Sequence, residues 1–132
     1  MAEQHRIDST ANPYDPTTIP RKAEVGIDGF LAVDLRVGRV VHVEAFPEAR
    51  QPAWKLRVDF GPVVGELATS AKITNYAASQ LLGRQVVGVI NLGRKRIAGF
   101  VSEFLILGGL EPDGTVRLLE VDGDLHPGSV VA

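Results

Sequence analysis

Residues 46–61 read FPEARQPAWKLRVDFG, and the second half of this stretch decides the class of fold. From Trp54 to Phe60, the apolar residues Trp54, Leu56, Val58 and Phe60 alternate with Lys55, Arg57 and Asp59. Successive strand side chains point to opposite faces, so this alternation describes a half-buried β-strand and not a helix. One face packs Trp54, Leu56, Val58 and Phe60 into a core, and the open face holds Lys55 and Arg57 side by side. Such a basic pair is either a platform for a polyanion or ordinary surface charge, and the rest of the chain must choose between them.

Upstream, LRVGRVVHV from Leu35 to Val43 places Leu35, Val37, Val41 and Val43 in one phase. Arg39 breaks that phase directly after Gly38, which predicts a bulge or a sharp coil there. Pro47 and Pro52 bound the connection to the second strand. A third strand is expected from about Val64 to Thr69. Thr74 or Asn75 then starts a short helix through Leu82, with Gly83 placed to end it. Gln85 to Leu92 is apolar on both faces, as in a strand buried on both sides, and Phe100 to Leu107 reads as a fifth strand.

Three strands, a short helix and two strands is the element order of the OB-fold. The expected class is therefore all-β: a five-stranded Greek-key barrel with a short helix between strands three and four, plus a C-terminal β extension. Glu111-Pro112-Asp113-Gly114 is a turn signal, and Thr115 to Val121 alternates as one further strand. Because the barrel should be complete before it, Val116, Leu118 and Val121 are expected to pack against a second copy, over an extension of about residues 110–132. Residues 1–24, with Pro13, Pro16 and Pro20 among polar residues and no apolar period, read as a flexible arm in which His5 is solvated. Residues 25–132 form the folded domain, entered through a helical turn that Asp28 caps before Leu31.

A chain of 132 residues is expected to be one domain. It has no cysteine, hence no disulfide framework, zinc knuckle or thiol nucleophile, which fits a reducing compartment. Neither a signal-like N-terminus nor an apolar run approaching ~18 residues is present, so a cytoplasmic protein without membrane insertion is expected. The net charge of −2 hides an asymmetry. Residues 35–102 hold ten bases and four acids, whereas the flanks hold four bases and twelve acids. A basic centre between acidic ends points to an anionic partner.

The strongest binding candidate is NLGRKRIAGFVSE, residues 91–103. Arg94, Lys95 and Arg96 follow a glycine on the connection between the last two strands, which in an OB-fold flanks the oligonucleotide-binding face. Read alone, the run is more often a solvated basic turn; the charge asymmetry and the OB element order turn the reading toward binding. Asn91 and Ser102 end apolar strands, where they either cap edge backbone groups or contact bases and phosphates. Trp54 shares its phase with Leu56 and Val58 and is read as core. Phe100, which follows Gly99 at a strand start, is the better base-stacking residue. No catalytic triad spacing, H-E-x-x-H, G-x-S-x-G or phosphate-binding glycine loop is present, and the three scattered histidines suggest no metal site. Neither an enzymatic activity nor a cofactor is expected.

The runs DLRVGRVVHVEAFPEARQPAWKLRVDFG, TSAKIT, GRQVVGVINL and RIAGFVSEFLILG together resemble the CsaA family, over about Ile27 to Val131. That family belongs to a larger group of tRNA-binding OB domains also appended to methionyl- and phenylalanyl-tRNA synthetases. The resemblance implies a homodimeric, protein-export-related chaperone that also binds tRNA. Carried over by residue, it places the family's basic strand at Lys55 and its Asn-bearing strand end at Asn91. Its basic rim falls on Lys95 and Arg96, its Ser-Glu pair on Ser102 and Glu103. The C-terminal extension looks like a dimerisation element. This chain departs at Gly93-Arg94, where the family usually carries Pro-Pro, and at Phe104-Leu105, where the synthetase domains usually carry Gly-Met. The first departure should give a more flexible, more cationic loop, and the second puts bulk where a nucleotide approaches. The long N-terminal arm is also atypical.

Two functions follow as expectations. One is an export-related chaperone with tRNA-binding capacity, holding unfolded or export-bound polypeptides, and in contact with the export machinery, in basic, partly apolar grooves. The other is a dedicated module for tRNA or structured RNA, acting in trans with an aminoacyl-tRNA synthetase.

Overall fold

In the computed structural model, which describes residues 12–132, short strands dominate. The chain runs α1 (Gly26–Leu31), β1 (Leu35–Ala45), β2 (Trp54–Asp59), α2 (Gly61–Val64), β3 (Glu66–Ala71), α3 (Ala78–Leu81) and β4 (Gln85–Val89). It continues through β5 (Lys95–Ile97), β6 (Phe100–Ser102), β7 (Leu105–Ile106), β8 (Gly108–Leu110) and β9 (Val116–Leu118). The main sheet is antiparallel in the order β3-β2-β1-β4-β7. Glu103 nearly closes it into a barrel: its N–H donates to the Ala68 carbonyl (2.8 Å), and its carboxylate accepts the Ala68 N–H (3.0 Å). The sheet, its near closure and the helical turn between β3 and β4 make the expected OB-type barrel. Among the described residues no helix is long and apolar enough to cross a membrane. The reading of His5 lies outside the described residues. From Asn12 to Glu24 the arm is mostly exposed, tied to the body by a Tyr14 N–H bond to the Pro112 carbonyl (3.1 Å).

The alternation of β2 survives folding. Leu56, Val58 and Phe60 are buried, and Trp54 is half-buried against the same core, its indole N–H donating to the Tyr76 carbonyl (3.1 Å). Phe60 packs edge-on against Phe104, with ring centroids 4.9 Å apart. Two glycines make that possible: a Cβ on Gly38 would lie 2.8 Å from the Phe60 ring, and one on Gly88 would lie 2.9 Å from both rings. Phe104 is thus core bulk received by Gly88.

Several expected boundaries move. The bulge in β1 lies at Val41, between the pairs Val40–Val58 and His42–Arg57, and not directly after Gly38. The extra residue flips the phase, so Val40 is buried and Val41 is 43% exposed. The third strand starts at Glu66; Val64 belongs to the turn α2, with Val63 exposed. The expected helix contracts to the single turn α3, which drives Leu81 into the core and stops at Gly83, φ +81°. Asp28 does not cap α1: Val25 holds that position, and the Asp28 carbonyl accepts the Ala32 N–H inside the helix. The single strand expected over Phe100–Leu107 is two, β6 and β7, because the chain first folds back on β5.

The C-terminal extension does pair, but with its own chain. β9 lies against β8, and Val116 and Leu118 are buried in the barrel core. The Leu118 N–H donates to the Tyr76 hydroxyl (3.0 Å), and the Val116 carbonyl accepts from Asn75 (3.0 Å). Residues 128–131 then run along β1 through Gly128–Val37, Val37–Ser129 and Val131–Leu35 backbone bonds of 2.7–2.9 Å. Val116 and Leu118 are therefore not the unpartnered strand the alternation suggested, and the ground for turning them toward a second copy falls away. Val121 remains half-exposed.

Candidate nucleic-acid interface

Two connections project on one side of the barrel: residues 46–53, between β1 and β2, and residues 90–99, between β4 and the last strands. The second contains a tight hairpin. β5 and β6 pair as Lys95–Ser102, Arg96–Val101 and Ile97–Phe100, turning on Ala98 and Gly99 at φ +48° and +81°. Positive φ at both turn residues matches the right-handed twist of the flanking strands. The preceding Gly93 also has a positive φ, +86°, a backbone path closed to proline.

Between these connections lies a pocket of about 480 Å³. Its floor is barrel core, with Ile73, Phe104, Ile106 and Val116 buried. Its mouth carries Arg50, Lys72, Lys95 and Arg96 against the single acid Glu48. Phe46, buried on the same wall, links the pocket to a neighbouring aromatic cluster. The Phe46 and Phe100 ring centroids are 5.6 Å apart, and the Lys55 ammonium sits 4.7 Å from the first and 5.4 Å from the second. Ring quadrupoles attract a cation held at such distances, so Lys55 is oriented beside the half-exposed Phe100.

The residues expected to bind divide accordingly. Lys95, Arg96 and Ser102 line the pocket, with Lys55 and Phe100 next to it. The Ser102 hydroxyl is 2.9 Å from that of Thr69, inside the wall. Arg94 extends from the hairpin base, 77% exposed, 3.6 Å from the Glu103 carboxylate whose other oxygen receives Ala68. Two residues are placed elsewhere. Arg57 pairs with Glu66 on the sheet surface (3.1 Å), which compensates its charge there. Asn91 uses both ends of its amide on backbone, donating to the Ala32 carbonyl and accepting the Asp34 N–H, each at 2.8 Å. Of its two sequence readings, structural capping is the one observed.

Phe46, Arg50 and Lys72 belong to this surface and were not singled out from the sequence. Each stands inside a distinctive run, FPEAR or TSAKIT, but nothing in those runs shows that the fold gathers them around one cavity. Chemically, the mouth can hold several phosphate or carboxylate oxygens through charge-assisted bonds, while the floor takes only an apolar or aromatic group.

Comparison with known proteins agrees with this geometry. A family model described as "Putative tRNA binding domain" matches residues 35–130. The crystal structure of the chaperone CsaA from Bacillus anthracis str. Ames is 44% identical, with a TM-score of 0.79 over 83% of this chain and all of that one (100%). The CsaA chaperone protein from Picrophilus torridus is 39% identical, with a TM-score of 0.78 and the same coverage. The methionine–tRNA ligase of Methanocaldococcus jannaschii is 34% identical over 108 residues, 82% of this chain but 16% of that enzyme. The chain thus spans about a sixth of the length of the curated relatives it matches, shown by the 16% figure. It belongs to the tRNA-binding domain family and, within it, groups with CsaA.

Proposed function

We propose, with membership of the tRNA-binding domain family as the premise, that this protein is a CsaA-like, homodimeric tRNA-binding protein and export-related chaperone of the cytoplasm. The observation that carries the proposal is the pocket between residues 46–53 and the β5–β6 hairpin, with its apolar floor and a mouth of four cations and one acid. Lys95 and Arg96, joined by Arg50 and Lys72, take the phosphates. Arg94 and Lys55 extend that field, and Phe100 offers a stacking face. Phosphate contacts of this kind supply affinity and position without reading sequence. The same combination suits an unfolded or export-bound polypeptide, whose apolar side chains fit the floor. No catalytic role is assigned to any residue. Homodimerisation rests on the CsaA likeness, Val121 being the remaining half-exposed residue of the three expected at the contact.

A second reading draws on the likeness to methionine–tRNA ligases: a tRNA-binding module that acts in trans with a synthetase. Titration of the purified protein with bulk tRNA and with an unfolded, presequence-bearing protein across a salt series separates the readings. Saturable binding of both ligands supports the chaperone; binding of tRNA alone supports the module; binding of neither refutes both.

A further inference from the structure

The pocket is more than a charged surface. A protein that recognises an RNA only by its phosphate backbone needs cations spaced along a face, and a cavity behind them adds nothing. Here four cations surround an opening of about 480 Å³ that leads to buried Ile73, Phe104, Ile106 and Val116. That volume lies within the roughly 300–1,000 Å³ of small-molecule sites. The cavity is continuous with the wall formed by Phe46, whose ring also meets Phe100 and the Lys55 ammonium.

Resting on the tRNA-binding reading above, we propose that the ligand element recognised here is an unpaired nucleotide, its base inserted into the pocket and its flanking phosphates held at the mouth. Three physical points select it. Bases in a paired A-form helix are closed off in a deep, narrow groove, so only a loop, bulge or single-stranded end can supply one. Each nucleotide brings a negative charge at regular spacing, which matches a mouth with Arg50, Lys72, Lys95 and Arg96 against Glu48 better than a polypeptide of mixed charge does. Lastly, an aromatic face beside an oriented ammonium, as Phe100 and Lys55 provide, suits the neighbouring base and phosphate.

The test compares competitors of labelled bulk tRNA: a short unstructured RNA, a blunt RNA duplex of the same length, and an apolar acidic peptide. The unstructured RNA carries one 2-aminopurine, whose emission rises as it leaves the stack. The unstructured RNA should compete at least tenfold better than the duplex, with a rise in emission. Ala49 and Gln51 line the pocket from the β1–β2 connection and are not fully buried. Ala49→Trp, and independently Gln51→Trp, should fill the cavity and remove both the preference and the emission change. Equal competition by duplex and unstructured RNA overturns the inference while leaving tRNA binding intact, as does an undiminished preference in either folded variant. Displacement by the peptide that the tryptophan variants block, with RNA binding unaffected, assigns the pocket to polypeptides and equally overturns it. Failure of tRNA itself to bind removes the underlying reading and the inference together.

Discussion

Reversing the charge of Lys95 and Arg96 is the sharpest probe of the interface. In the wild type the pocket mouth presents four cations and one acid. The double variant Lys95→Glu/Arg96→Glu would present two cations and three acids, so attraction becomes repulsion across the opening. Each lost phosphate contact should reduce the slope of log K against log salt by roughly 0.7–0.9, hence by about 1.4–1.8 for two. Affinity for tRNA should fall by more than about tenfold, on the order of 1.4 kcal/mol or more. Folding should survive, because Arg96 is exposed, Lys95 is half-buried, and the hairpin pairing uses their backbones. Filter binding or fluorescence anisotropy of labelled tRNA at several salt concentrations reads both quantities, with thermal unfolding as the control. A folded variant with unchanged affinity and an unchanged salt slope would remove the hairpin from the binding site.

Trp54→Ala should cost about 3 kcal/mol, the low end for aromatic truncation because the ring is half-buried. Trp54→Phe should cost about 1 kcal/mol, for the indole bond to Tyr76. Wild-type denaturation of Trp54→Ala with lost tRNA binding would mean that the ring stacks on ligand instead. Asn91→Ala should lower stability by about 1 kcal/mol through its two backbone bonds yet leave tRNA affinity unchanged, and a reversed pattern in titration would restore Asn91 to the site. Leu118→Ala should cost about 2–5 kcal/mol, as for a core leucine; sedimentation that instead showed a stable protein shifted from dimer to monomer would return β9 to an interface. Glu103→Ala leaves the Ala68 N–H without its carboxylate, so amide exchange at Ala68 should accelerate, and unaltered protection would argue against Glu103 as the closure of the barrel.

Patterns that depend on local geometry were legible. The strict alternation of residues 54–60 became β2, and Gly83 ended α3 as a left-handed residue should. The β5–β6 hairpin was legible only in part. Its three cations were visible, but the two-residue turn Ala98-Gly99 lacks the Asn-Gly signature, and β5 and β6 are too short for periodicity to separate. Lys55 and Arg57 look equivalent in sequence, yet one meets two phenyl rings and the other meets Glu66.

By itself, the chemistry of the sequence determined the all-β class, the element order of the barrel, the basic centre and the family, because strand alternation, turn residues and charge are local properties. Only the tertiary structure decided where the unmatched pieces went. Whether Val116 and Leu118 seek another chain depends on whether the barrel leaves room for them, and Tyr76, Asn75 and β8 show that it does. Likewise Arg50, Lys72, Lys95 and Arg96 are separated by up to dozens of residues, and no spacing rule joins them. They form one cationic mouth because two connections of the same barrel end on the same side of an unfilled part of its core.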